Sequence, residues 1–225
     1  MGTIDEEANL RVLLPRLRAI VQEIIVVDDG SRDGSRAVAR EHGAIVVERP
    51  RRLGIGTVVY AGVARASMPI IATMDADLSH PPSAILDAHA KLLEGWDIVR
   101  FSRFITGSTW EAPIARRIGV RALAAVLATA CRLPLTDPTN GFMVARRVCF
   151  DGPTRFTDDP GEGWVAEFLA RNRGRRMTEL PYVHAPRLSG RSHFTLRQEL
   201  SRSARSFRLG MGSGRPERSA GGAQT

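Results

Sequence analysis

A short apolar run that ends in two carboxylates constrains this chain more than any other feature: Pro69-Ile-Ile-Ala-Thr-Met-Asp-Ala-Asp-Leu-Ser-His-Pro-Pro82. Ile70, Ile71, Ala72 and Met74 read as a strand covered on both faces, because a nearly continuous apolar run bounded by turn formers leaves no face for water. Asp75 and Asp77 then stand at its carboxyl end, where open α/β sheets bind their ligands. Side chains two apart on extended backbone share one side, so this spacing can aim two hard oxygen ligands at one divalent cation. The same residues could simply cap the helix that begins near Pro82, and Asp-x-Asp alone does not separate the two roles.

The rest of the chain repeats the strand-then-helix pattern. Glu6 to Leu17 has leucines at helical spacing, Ile24 to Val27 is a strand, and Asp28-Asp-Gly-Ser-Arg-Asp-Gly-Ser35 is a turn that opens a helix through about Glu41. Ala44 to Val47 is a strand, Gly56 to Ser67 a helix, Ser83 to Leu93 a helix, Asp97 to Phe101 a strand and Ala112 to Cys131 a long helix. Such alternation predicts an α/β fold with a mostly parallel sheet flanked by helices. Beyond Cys131, Asp137-Pro-Thr-Asn-Gly-Phe-Met-Val-Ala145 reads as a turn into an edge strand, Trp164 to Asn172 as a helix and Arg176 to Val183 as a last strand.

Length and composition exclude several classes. With 225 residues and 43% hydrophobic content the chain can bury one sizeable core. No apolar run approaches the roughly 18 to 20 residues that cross a bilayer, and the acidic start Asp5-Glu6-Glu7 is unlike a secretory signal, so a soluble cytoplasmic protein is expected. Cys131 and Cys149 lie far apart and read as free thiols.

The net charge of +8 is local: between Arg171 and Arg208 ten Arg face two acids, and the remaining charges cancel. From Leu196, apolar Leu196, Leu200, Ala204 and Phe207 share a helical face opposite Arg197, Arg202, Arg205 and Arg208. The expected organisation is a domain over 1–209 that includes this basic amphipathic helix at 195–209, then a Gly- and Ser-rich disordered tail at 210–225. The helix suits peripheral contact with an anionic membrane surface at the cytoplasmic face, or packing on the domain with its Arg side in water. No nucleic-acid module or aromatic interleaving accompanies the basic segment, so no nucleic-acid partner is expected.

Taken in order, Asp28 to Ser35, Arg49 with Gly54-Ile-Gly56, Met74 to Pro82, Ser102-Arg103-Phe104, Asp137-Pro-Thr-Asn-Gly-Phe142 and Arg187 to His193 resemble the motif series of glycosyltransferase family 2. Within it they are most similar to dolichyl-phosphate and polyprenyl-phosphate mannosyltransferases. The resemblance implies a GT-A (nucleotide-diphospho-sugar transferase) fold, a sugar-nucleotide donor, Mg²⁺ or Mn²⁺, and inverting transfer of a sugar to a polyprenyl phosphate, with mannose from GDP-mannose the leading choice. It also implies site residues. Asp29, beside Val27, matches the nucleobase position, and Glu6 the acidic position of the first motif. Asp75 and Asp77 match the metal and diphosphate motif, with Ser79 where mannosyltransferases often carry Gln as a further ligand. Arg103, Arg116 or Arg117, Arg187 and His193 match a basic set that holds acceptor and leaving phosphates, Asp77, Arg103 and Arg187 being closest to the chemistry. Members of the family begin with an apolar interior strand before the motif matched by Gly2 to Glu6, and this chain is expected to lack it. The alternatives are a family 2 enzyme with another sugar nucleotide or a hydroxyl acceptor, and a non-catalytic remnant that binds nucleotide or an anionic surface.

Overall fold

The computed structural model describes residues 1–52, 54–151 and 164–186. Strands and helices alternate as β1 (Gly2–Thr3), α1 (Glu7–Arg18), β2 (Ile25–Asp28), α2 (Ser35–Glu41), β3 (Ile45–Glu48), α3 (Ile55–Arg65), β4 (Ile70–Thr73), α4 (Ala84–Leu93) and β5 (Ile98–Ser102). There follow β6 (Thr109–Trp110), α5 (Ile114–Ala130), β7 (Met143–Arg146), a 3₁₀ turn (Arg147–Phe150), α6 (Trp164–Arg171), β8 (Met177–Pro181) and β9 (Val183–His184). The expected basic helix, the tail, Arg187 and His193 lie outside the described residues. None of the described helices is long and apolar enough to cross a membrane.

The helices form where apolar residues recur at the helical period. In α1, Leu10, Leu13, Leu14 and Leu17 fall on one stripe and are all buried against the sheet. The β-branched runs Ile25-Val-Val27 and Ile45-Val-Val47 pair in parallel, Ile25 opposite Ile45.

β7 is not the edge strand that the sequence suggests. It lies inside the four-stranded sheet β4-β7-β5-β8, antiparallel to both neighbours. The physical reason is two-sided burial: Val144 packs with the α1 and α4 core, whereas Met143 and Ala145 pack with Trp164, Phe168 and Leu169 of α6. An apolar run covered on both faces needs partners on both edges as well.

The first strand, β1, is two residues long. Gly2 pairs with Val27 and Thr3 with Asp28, parallel to β2. β1-β2-β3 and the β4 sheet form separate ladders. Between them runs a cleft of about 670 Å³ lined by Ile24 and Ile25, by Ile70 to Thr73 and by Val58, Val59 and Val63 of α3. The Met1 ammonium sits at its end, donating to Ile25 O at 2.9 Å. Burial drives that amine down to about 6, partly offset by Asp75.

This geometry predicts that an engineered extension of about four apolar β-branched residues ahead of Met1 stabilises the protein. It would extend the β2 ladder, cover apolar surface and replace a buried, desolvated amine by an amide N–H. Against the entropy of ordering it, a net gain on the order of 2 kcal/mol raises Tm by about 4 to 8 °C. A Lys/Glu extension of equal length is the control, and equal Tm values for the two extensions would refute the strand-like character of the cleft.

Candidate active site

The loop after β4 is built around Asp77. Its Oδ1 accepts the Ser79 N–H at 3.0 Å and the Ser79 hydroxyl at 2.6 Å, which fixes the carboxylate in a buried position. Leu78 has φ +66°, a left-handed conformation that a Leu adopts only where its surroundings hold it there. The hold comes from two sides: Ala185 N–H donates to Ser79 O at 3.2 Å, and Asp75 N–H donates to His80 Nδ1 at 3.0 Å. Asp75 keeps its carboxylate about half exposed. One loop thus brings Asp75, Asp77 and Ser79 together, with Ser79 orienting Asp77 through its hydroxyl.

The donor set suits a hard divalent ion that takes most of its ligands from elsewhere. Two carboxylates of one loop are hard oxygen donors, and among the described residues no cluster of three or more His, Cys, Asp or Glu forms a complete cage. Two such carboxylates fit Mg²⁺ or Mn²⁺, ions that take most of their ligands from phosphate and water.

The turn after β2 forms a second wall. Asp28 caps it, its Oδ1 accepting Gly30 N–H, Ser31 N–H and Arg36 Nε. Asp29 is buried beside Arg49, Oδ1 to Nε 3.2 Å, and Arg49 Nη2 donates to Thr57 Oγ1 at 2.7 Å. Arg49 Nη1 is buried without a hydrogen-bond partner among the described residues. Val27 is a core residue whose N–H donates to Met1 O. Glu6 begins α1: its N–H donates to Ser35 Oγ at 2.9 Å and its carboxylate accepts from Asn9, which ties the first motif to the Asp28 turn.

Arg103, at the end of β5, is held by a residue the sequence reading placed in a separate motif. Asp137, fully buried, accepts Arg103 Nε at 2.7 Å and Nη2 at 2.9 Å, and Thr139 Oγ1 receives Nη2 at 2.8 Å. Burial alone would raise the Asp137 carboxyl, but the charge and hydrogen bonds of Arg103 outweigh it and hold it below the usual carboxylate range. The Arg103 guanidinium also lies 4.7 Å from the Trp110 ring centroid, and Arg116 lies 6.0 Å from the same ring. Arg116 and Arg117 both project from the exposed side of α5. Trp110 therefore gathers Arg103 and Arg116 into one cationic cluster.

Sequence reasoning missed the packing behind the acidic loop. His80 stacks on Phe142 at 4.6 Å, and Tyr182 bridges Asn140 Nδ2 and His184 Nδ1 at 3.0 and 2.9 Å. Burial, reinforced by the neighbouring His80 and Arg103, lowers His184 to about 4, so it is neutral at physiological pH. His80 was visible within Ser79-His-Pro-Pro82, but periodicity gives no sign of a buried imidazole.

Comparison with known proteins agrees with this architecture. Residues 1–118 match the model of the family described as glycosyl transferase family 2. An uncharacterised glycosyltransferase of Mycobacterium tuberculosis is 34% identical over 192 residues, covering 84% of this chain and 85% of that protein. A dolichol-phosphate mannosyltransferase of Pyrococcus furiosus is 29% identical, over 84% of this chain and 56% of its own length. Among solved structures, glucosyl-3-phosphoglycerate synthase of M. tuberculosis, crystallised with Mn²⁺, UDP-glucose and phosphoglyceric acid, superposes with a TM-score of 0.70 at 21% identity, covering 94% of this chain and 76% of that one. It shares the GT-A fold, and with the sequence matches it establishes that this chain belongs to glycosyltransferase family 2.

Proposed function

We propose that the chain transfers a sugar from a nucleotide donor to a polyprenyl phosphate, with mannose from GDP-mannose as the donor. The observation that carries the acceptor assignment is the surface of α5. Next to the Arg103, Trp110 and Arg116 cluster, Ile114 and Ile118, one helical turn apart, are 68% and 63% exposed. Cations beside an open apolar stripe suit an amphiphile with a phosphate head and a hydrocarbon chain.

In this reading Asp29 accepts base N–H groups while Arg49, whose Nη1 has no hydrogen-bond partner among the described residues, donates to a base carbonyl. Asp75 and Asp77 hold Mg²⁺ or Mn²⁺, which when bound offsets the charge of the donor diphosphate. The arginines hold the acceptor phosphate in line with the anomeric carbon. A lipid phosphate already carries an oxyanion near neutral pH, so positioning and charge neutralisation supply the catalysis. Its oxygen forms the new bond to the anomeric carbon as the bond to the diphosphate breaks, and the nucleoside diphosphate leaves with that electron pair.

The test incubates GDP-mannose, UDP-glucose and other labelled sugar nucleotides with polyprenyl phosphate and follows label into the organic phase. Transfer from GDP-mannose is expected. Label that reaches only a hydroxyl compound overturns the acceptor, and donor binding without turnover favours a non-catalytic remnant. Arg187→Ala, outside the described residues, is expected to raise the lipid-phosphate requirement at least about 10-fold with nucleotide binding intact. Asp159→Asn, in the acidic segment that could otherwise supply a general base, is expected to change turnover little. The opposite pattern would point to a hydroxyl acceptor, which must lose a proton as it attacks.

A further inference from the structure

We propose that His80 is a positioning residue for the cation site, setting the direction of Asp75 from behind the loop. This rests on the reading that Asp75 and Asp77 hold the divalent ion. The imidazole is buried, 2% exposed, and accepts the Asp75 N–H on Nδ1 at 3.0 Å. That bond places its proton on Nε2, which faces Asp75 Oδ2 at 4.0 Å. One ring therefore accepts from the backbone of Asp75 and lies beside the carboxylate of the same residue. The ring itself has little freedom: it is parallel to Phe142 within 7° and meets the edges of Tyr182 and His184 at 5.9 Å.

Asp75 needs this support more than Asp77 does. Asp77 is oriented within the loop by Ser79, whereas the Asp75 carboxylate is half exposed and follows a strand end. Between Asp75 and His80, Leu78 holds a left-handed backbone, so the loop would relax if its far end were released. The hydrogen bond from Asp75 to His80 spans that strained segment and closes it into a ring. Groups that orient metal ligands in this way are worth about 10- to 100-fold in metal affinity.

The experiment compares wild type, His80→Phe, His80→Asn and His80→Gln. Each is titrated with Mn²⁺ in the presence of GDP or UDP, followed by calorimetry and by the Mn²⁺ paramagnetic resonance signal, with Tm measured in parallel. Phe keeps the stack on Phe142 but offers no acceptor. Asn places an oxygen near the position of Nδ1, and Gln places one near Nε2. If His80 positions Asp75, Phe and Gln weaken Mn²⁺ binding about 10-fold or more while Asn stays within about 3-fold of wild type. Tm should follow the other order, with Phe above Asn and Gln because it keeps the ring contacts. A merely structural histidine would make affinity follow Tm, and that result overturns the proposal. Wild-type affinity in His80→Phe overturns it as well. If the wild type itself takes up no Mn²⁺ with either nucleotide, the cation-site reading falls and the inference falls with it.

Discussion

Asp77→Asn should abolish Mn²⁺-dependent donor binding and sugar transfer while leaving the fold in place. The side chain accepts two hydrogen bonds from Ser79 on Oδ1, and an amide oxygen in the same position can accept both. Backbone and volume are unchanged, so Tm should move by no more than about 2 to 4 °C, roughly 1 kcal/mol. What disappears is one of two negative charges. A neutral amide is a much weaker ligand for a hard divalent ion, and Mg²⁺ or Mn²⁺ with only Asp75 remaining must rely on phosphate and water. A loss of at least about 100-fold in Mn²⁺ affinity, about 2.7 kcal/mol, is expected in calorimetric titrations with nucleoside diphosphate present. Superimposable titrations of wild type and mutant would remove Asp77 from the metal site.

Much of this site was legible because strand ends announce themselves. The apolar runs Ile25 to Val27 and Ile70 to Met74 stop at Asp28 and Asp75, and the alternation with helices fixes what kind of sheet they join. Boundaries moved by only a residue or two where apolar periodicity was strong, as in α1 and α4. The place of β7 was not legible. Phe142-Met-Val-Ala145 has the same local pattern at an edge or inside, and only the long-range pairing of Met143 with Thr73 and Arg100 decides. Equally hidden was the purpose of Asp137. Its partner Arg103 is 34 residues away, and no local spacing rule connects a strand end to a later turn. The two-residue β1 was harder still, since Gly2-Thr3 has no apolar content and pairs only through its backbone.

That hidden pair yields the largest expected effect on stability. Asp137→Ala leaves Arg103, its side chain 13% exposed, without the carboxylate that faces it. It also removes the nearest negative charge from Arg100, which is wholly buried and whose Nε and Nη1 have no hydrogen-bond partner among the described residues. Burial already pushes Arg100 down to about 10 despite the attraction of Asp137 and Glu179. Breaking a buried pair by deleting one member costs about 3 to 5 kcal/mol, because the remaining charge stays desolvated. For a domain of this size the loss is about 6 to 20 °C in Tm. The contribution depends on pH in a defined direction. Since the folded carboxyl is held below 3.8, it is complete above that pH and fades as pH falls through the lower folded value. Arg103→Met should cost a comparable amount by stranding the carboxylate. The double substitution should then cost less than the sum of the two, with a coupling of about 1 to 3 kcal/mol. Arg103→Lys divides structure from chemistry. An ammonium keeps the charge but cannot reproduce the two-nitrogen contact with Asp137. If Arg103 also holds phosphate, Arg103→Lys should lower kcat/KM by much more than its Tm loss accounts for. Wild-type kcat/KM in Arg103→Lys, with Tm lowered, would assign Arg103 to the fold alone and leave the phosphates to Arg116 and Arg187.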